Sequence, residues 1–325
     1  MLSSDTRLRG IFALLAAFVL ALGVAACGDD DDDGGGGDAS GELIESNPDN
    51  SGVELTVGSK NFTEALILGE IYAQALEAAG YGVKTDLNLG SEQVALEALK
   101  AGEISGYPEY TSTALTSFFN KTADQVPADA QEAYDDAKTE LEGEGLTAFA
   151  PTPFADSNAV GMLTSRADEL GVTTVSDLEG KSQDLVLSGS PECRQRVDCL
   201  VGLEDTYGLQ FKEFKPVDIE LRYPVLDDGQ ADLSILFTSD AALANSDQYT
   251  LLEDDQGIFP AGNVIWITDQ KVVEEAGPDY QATIEKVQEG LSLEVMQELN
   301  SRVDLDKEEP AAVATQYLQE SGYIE

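Results

Sequence analysis

Apolar positions along this chain change their period several times. Residues 53–58 (VELTVG) alternate as a half-buried strand does, residues 62–80 (FTEALILGEIYAQALEAAG) set Ala65, Leu68, Tyr72 and Leu76 at helical spacing, and residues 82–90 (GVKTDLNLG) alternate again. Asn61 with Glu64 three residues later has the form of a capping box, and Gly80 supplies a helix stop. A shorter helix is predicted over residues 92–103 (EQVALEALKAGE).

A second series begins near Ala159. Strands are predicted in residues 159–164 (AVGMLT), 184–189 (DLVLSG) and 231–240 (ADLSILFTSD), with a turn into a short helix at residues 174–181 (TVSDLEGK). Residues 127–145 (PADAQEAYDDAKTELEGEG), between the two series, read as an acidic surface helix. The C-terminal part then resumes the pattern of the first series, with a strand at residues 262–269 (GNVIWITD) and helices around 279–290, 293–303 and 310–321. Strand and helix in alternation imply right-handed parallel crossovers and an α/β layer structure. Two such lobes with the tail rejoining the first require the chain to cross twice, near TPFADSN (152–158) and FPAGN (259–263), and a cleft between lobes is the expected ligand site.

The ends of the pattern modify this picture. Arg7 and Arg9 precede an apolar run from Ile11 to Leu22 that closes in Val24-Ala25-Ala26-Cys27, the form of a lipoprotein signal peptide over residues 1–26. The run is short for a bilayer span, so Cys27 is expected to carry lipid and the remainder to lie outside the cytoplasm, held to the outer face of the cell membrane. Residues 27–52, rich in Asp and Gly, show no apolar period and are expected to be a flexible tether. Five consecutive aspartates there splay apart rather than converge, so a solvated tether is favoured over a calcium loop.

Charge and rare residues exclude several functions. With 62 acidic and 18 basic side chains the formal charge is −44, which disfavours nucleic acid and anionic membrane surfaces as partners. The chain has no histidine, which removes histidine triads, metal sites and acid–base chemistry together; no metal or cofactor is expected. Cys193 and Cys199, in an oxidising compartment, are expected to form a disulfide closing a small loop.

Residues 57–81 (VGSKNFTEALILGEIYAQALEAAGY), 88–115 (NLGSEQVALEALKAGEISGYPEYTSTAL), 176–181 (SDLEGK), 189–211 (GSPECRQRVDCLVGLEDTYGLQF) and 252–267 (LEDDQGIFPAGNVIWI) resemble the substrate-binding lipoproteins of ABC importers for glycine betaine, choline and related osmoprotectants. The resemblance implies a type II periplasmic-binding-protein-like fold: two α/β lobes, residues 53–154 plus 262–325 and residues 155–261, joined by a two-crossing hinge. It also implies a monomer that closes over a small zwitterionic or carboxylate ligand and delivers it to a permease and its ATPase subunit.

Carried over by position, the family's carboxylate clamp falls on Lys60, Thr113 and Arg196, a combination suited to an anion because Arg offers planar bidentate donors and a helix N-terminus lies beside Lys60. The aromatic cage falls on Tyr110, Asn158, Phe237 and Gly262, with Asp156 placed to bring oxygen toward a cation and Tyr107 or Tyr223 as substitute rings. Two rings of four imply binding weaker by about 1 to 4 kcal/mol, hence glycine betaine affinity no tighter than high micromolar. Tyr72, Tyr81 and Tyr207 read as structural.

Two other readings compete. A ligand-sensing surface receptor uses the same fold, although a tethered binding domain fits delivery to a permease better. A hydrolase would need a working carboxylate pair, but Glu103 with Glu109, and Asp254 with Asp255, are placed by nothing in the sequence, and no nucleophile elbow or phosphate loop occurs, so an enzyme is not expected.

Overall fold

The computed structural model describes residues 42–244 and 247–325. The expected signal peptide, Cys27 and the tether up to residue 41 lie outside the described residues. From Ile44 the chain is docked: its amide donates to Tyr323 O at 2.9 Å, the Asn47 amide donates to Ala79 O at 3.0 Å, and the Asn47 and Asn50 side chains both reach Asp279. A 3₁₀ turn over Pro48–Gly52 follows. Polar side chains anchor this end of the expected tether, which is why no apolar period reveals it.

The first sheet contains β1 (Glu54–Gly58), β2 (Gly82–Asp86), β3 (Gly106–Tyr110), β4 (Leu146–Ala148) and β5 (Ala155–Asp156). The second contains β6 (Asn158–Leu163), β7 (Val186–Gly189), β8 (Glu213–Pro216), β9 (Leu233–Phe237) and β10 (Tyr249–Leu251), and β11 (Gly262–Asp269) returns to the first. Strand order is β2-β1-β3-β11-β4, with β5 paired to β11, and β10-β6-β9-β7-β8. The chain therefore changes sheet between Asp156 and Asn158, and returns before Gly262. Crossovers are parallel at β1–β2, β1–β3, β7–β8 and β7–β9, while β11 and β6 run antiparallel to their neighbours. Both sheets are thus mixed, the antiparallel strands being those on which the chain changes lobe.

β11 shows how the first lobe is built. Val264 and Trp266 join the core against helix α1 (Thr63–Ala78), whereas Ile265 and Ile267 join the core against helix α2 (Glu92–Ala101). Period-two alternation therefore fills both faces of one strand. Trp266 leaves no room above Gly106, where a Cβ would come within 2.5 Å of the indole. Val160, Met162, Leu187 and Leu233 form the separate core of the second sheet.

The start of α1 differs from the expected capping box. Phe62, with extended backbone, is the N-cap and gives no side-chain hydrogen bond. Glu64 turns inward instead, accepting from the Tyr110 hydroxyl and, at 3.0 Å, from Asn300 Nδ2. A buried hydroxyl and amide compete for the carboxylate that would have closed the box.

Candidate functional site

Parallel strands of both sheets end at the cleft, and the residues that follow them line one cavity of about 840 Å³, counted with its solvent-open mouth. β1 leads to Lys60 and Phe62, and β3 ends at Tyr110 with Thr113 just beyond. β7 leads to the disulfide loop with Arg196, β9 ends at Phe237, and the crossing between sheets adds Asp156 and Asn158. Carboxyl ends of parallel strands are where open α/β sheets place ligands. All seven residues singled out from the sequence, Lys60, Tyr110, Thr113, Asp156, Asn158, Arg196 and Phe237, line this cavity.

The charged pole is more compensated than the sequence suggests. Lys60, only 6% exposed, pairs through Nζ with the fully buried Glu109 of β3. Burial pushes the Glu109 carboxyl above its ordinary range, and the Lys60 ammonium works against that rise. Arg196 Nε donates to Asp198 Oδ1 at 2.8 Å, Nη2 donates to Asp198 Oδ2, and Nη1 lies 3.6 Å from Glu92 of α2. Although burial opposes the guanidinium charge, Asp198 and then Glu92 and Glu109 hold it above its ordinary range. An isolated buried charge is costly, so each cation of the expected clamp carries a carboxylate of its own.

The other end is aromatic. Phe62 lies between Tyr110 and Phe237, with ring centroids 6.2 and 5.4 Å away, and Phe259 completes the lining. Two protein cations stand over these rings: Lys60 Nζ is 4.5 Å from the Tyr110 centroid, and the Arg222 guanidinium is 5.0 Å from that of Phe237. Arg222 is buried, bound to Asp240 through Nε at 3.0 Å and to Ile219 O through Nη1 at 2.8 Å. Asp156 accepts from the Thr238 hydroxyl at 2.8 Å and the Ser239 amide at 2.9 Å. Burial first, and then the charge of Glu64, pushes its carboxyl up to about 7.

Sequence reasoning found part of the ring set: of the four positions carried over, Asn158 and Gly262 bear no ring. A Cβ on Gly262 would lie 2.2 Å from Ser112 Oγ, and Gly262 is paired with Asp156 between β11 and β5, so no ring fits there. Asn158 lines the cavity but turns Nδ2 to Asp198 O at 3.0 Å. Neither proposed substitute belongs to the lining: Tyr107 is buried with its hydroxyl 3.3 Å from Glu109, and Tyr223 donates to Asp240 while its ring meets Tyr249 at 4.7 Å. The rings it missed are Phe62 and Phe259. Phe62 was legible in principle, since it stands two residues after Lys60 in the motif of residues 57–81 and precedes the helical period. Asp198 and Arg222 carried no comparable signal, being acid and base in loops.

Three of the four carboxylates considered for hydrolysis have other partners, Asp255 accepting from the Ser176 amide at 3.1 Å. Glu109 holds Lys60, and Asp254 accepts from the Tyr207 hydroxyl and from the amides of Gly257 at 3.0 Å and Phe259 at 2.7 Å. It organises a loop.

Two α/β lobes enclosing a ligand-sized cavity at their strand ends define a type II periplasmic binding protein. Residues 53–320 match the substrate binding domain of the ABC-type glycine betaine transport system, and the chain belongs to that family. It is 31% identical over 277 residues to a glycine-betaine-binding protein of Pseudomonas aeruginosa, covering 82% of this chain and 87% of the relative. It is 29% identical over 275 residues to an ergothioneine transport permease/ergothioneine binding protein of Helicobacter pylori, covering 82% of this chain and 48% of that longer protein. A crystal structure of a glycine betaine/carnitine/choline ABC transporter protein superposes with a TM-score of 0.65 at 25% identity, over 83% of this chain and all of the other.

Proposed function

We propose that this protein is the extracytoplasmic substrate-binding component of an ABC importer for glycine betaine, choline or carnitine, or a related zwitterionic or carboxylate metabolite. In this reading it is held to the outer face of the cell membrane by a lipid on Cys27. It acts as a monomer that passes its ligand to a permease coupled to an ATPase subunit. The observation that supports this best is one cavity joining a donor pole, Lys60, Thr113 and Arg196, to a wall of rings, Phe62, Tyr110 and Phe237, with Asp156 beside it.

The chemistry of such a ligand matches the two poles. Its carboxylate accepts from Arg196, Lys60 and the Thr113 hydroxyl, exchanging protein carboxylates for its own. Its quaternary ammonium cannot donate ordinary hydrogen bonds and is held by ring faces and the Asp156 charge. Donors and rings come from both lobes, so a bound ligand favours the state in which the lobes meet around it.

A thermal-shift and calorimetry series with glycine betaine, choline, carnitine, ergothioneine, ectoine and proline tests the reading. A true ligand at a hundred times its Kd raises stability by about 2.7 kcal/mol. Stabilisation by none of these compounds overturns it.

A further inference from the structure

The Arg196 guanidinium is held by parts of its own loop. A guanidinium has two edges that each meet a carboxylate with two parallel hydrogen bonds, the side edge Nε/Nη2 and the end edge Nη1/Nη2. Asp198, two residues further along, occupies the side edge. Asp198 is itself fixed from two directions: its main-chain oxygen accepts from Asn158 Nδ2 of β6 at 3.0 Å, and its Oδ2 accepts from the Thr116 hydroxyl of the first lobe at 3.3 Å. Cys193 and Cys199, both buried and bonded to each other, close the loop on either side of Arg196, one at a 3₁₀ turn (Pro191–Gln195) and the other at the start of the helix Leu200–Asp205. With the side edge taken, Nη1 makes no hydrogen bond among the described residues, Glu92 lying 3.6 Å from it, and Arg196 lines the cavity.

We propose that Asp198 and the Cys193–Cys199 crosslink are positioning residues, which set Arg196 so that its end edge is offered to the carboxylate of a ligand in the cavity. This rests on the ligand reading above and explains why a cation already paired with an acid still serves as a clamp. Asp198 orients the guanidinium rather than consuming it. The crosslink removes loop motions that would let the side chain leave this setting.

The test compares glycine betaine with choline, which share a trimethylammonium group but differ in the carboxylate, by calorimetry on wild type, Asp198→Asn, Asp198→Glu and the double variant Cys193→Ser/Cys199→Ser. Melting of each ligand-free variant checks folding. Asp198→Asn should lower glycine betaine affinity on the order of tenfold or more while choline changes less than about threefold. The double serine variant should shift the same ratio in the same direction, and Asp198→Glu should restore part of it. Equal loss of both ligands, or no change in the ratio, overturns the proposal. Binding by wild type of neither ligand nor any other compound of the thermal-shift series would refute the ligand reading instead. The positioning claim then stands or falls on 15N NMR of the ligand-free Arg196 guanidinium, whose slowed rotation should be present in wild type and lost in Asp198→Asn and in the double serine variant.

Discussion

The two ends of the cavity handle charge in opposite ways. At the donor end Lys60 and Arg196 each face a carboxylate of the protein, Glu109 and Asp198, so the pole is balanced before any ligand arrives. At the ring end the charged groups acting most on Asp156 are themselves acidic, Glu64 and Asp240, and its hydrogen bonds come from a hydroxyl and an amide. On the proposed reading a ligand carboxylate exchanges partners at one end, while at the other a ligand cation meets rings over which Lys60 and Arg222 already stand and one acid, Asp156, that no cation of the described residues pairs. Such a site draws affinity mainly from the cation and selectivity mainly from the carboxylate, because an exchange of partners yields little net energy but fails badly when a partner is absent.

Removing Arg196 strains that comparison most. Arg196→Ala leaves Asp198 and Glu92 buried without their cation and denies the ligand carboxylate its bidentate donor. Glycine betaine affinity should fall by about 2 to 5 kcal/mol, with choline losing far less. Calorimetry on both ligands decides it: unchanged glycine betaine binding refutes the clamp, and equal losses erase the distinction between the two ends.

The next effect concerns Asp156 and can be read without a ligand. Its folded carboxyl sits at about 7 against an ordinary 3.8, so between those values the folded protein holds a proton that the unfolded chain has released. Stability from this group is therefore greatest in acid and declines as pH rises from about 4 to about 7, by at most about 4 kcal/mol. Asp156→Asn should remove this part of the decline, so urea unfolding at pH 5 and pH 8 should show a flatter profile than wild type. A cation at the ring end favours the ionised form, and its affinity should rise with pH through the same range. Parallel profiles for variant and wild type would show that the ring end is not the unbalanced one.

How much of this was legible in the sequence follows from which physics leaves a periodic trace. Strand β11 was readable because Val264, Ile265, Trp266 and Ile267 fill two cores in alternation. The family motif around Lys60 and Tyr110 was readable because strand-to-helix turns combine small residues with a fixed order of side chains. Glu109 as the partner of Lys60 was not, since pairing across 49 residues depends on the register of β1 against β3. The closeness of Gly262 to Ser112, which leaves no room for a ring, has the same origin: it is made across neighbouring elements and leaves no local pattern. Asn61 with Glu64 shows the converse, a local signal overridden by Tyr110 and Asn300, which are far away in sequence.

Phe62 gives the smallest effect and the finest cut. It bridges Tyr110 and Phe237 in the wall of rings, and Lys60 Nζ lies 5.5 Å from its centroid, so it serves both ends at once. Phe62→Leu keeps most of the apolar volume at the start of α1 but removes a ring face. A cation held by that wall should lose about 0.5 to 2 kcal/mol, and glycine betaine and choline should lose it equally because they share the trimethylammonium group. Ligand-free melting should move little by comparison. If only glycine betaine weakens, Phe62 acts through the placement of Lys60 and belongs to the donor end; if both weaken together, it is a third ring of the cage, and binding should be tighter than two rings alone would allow.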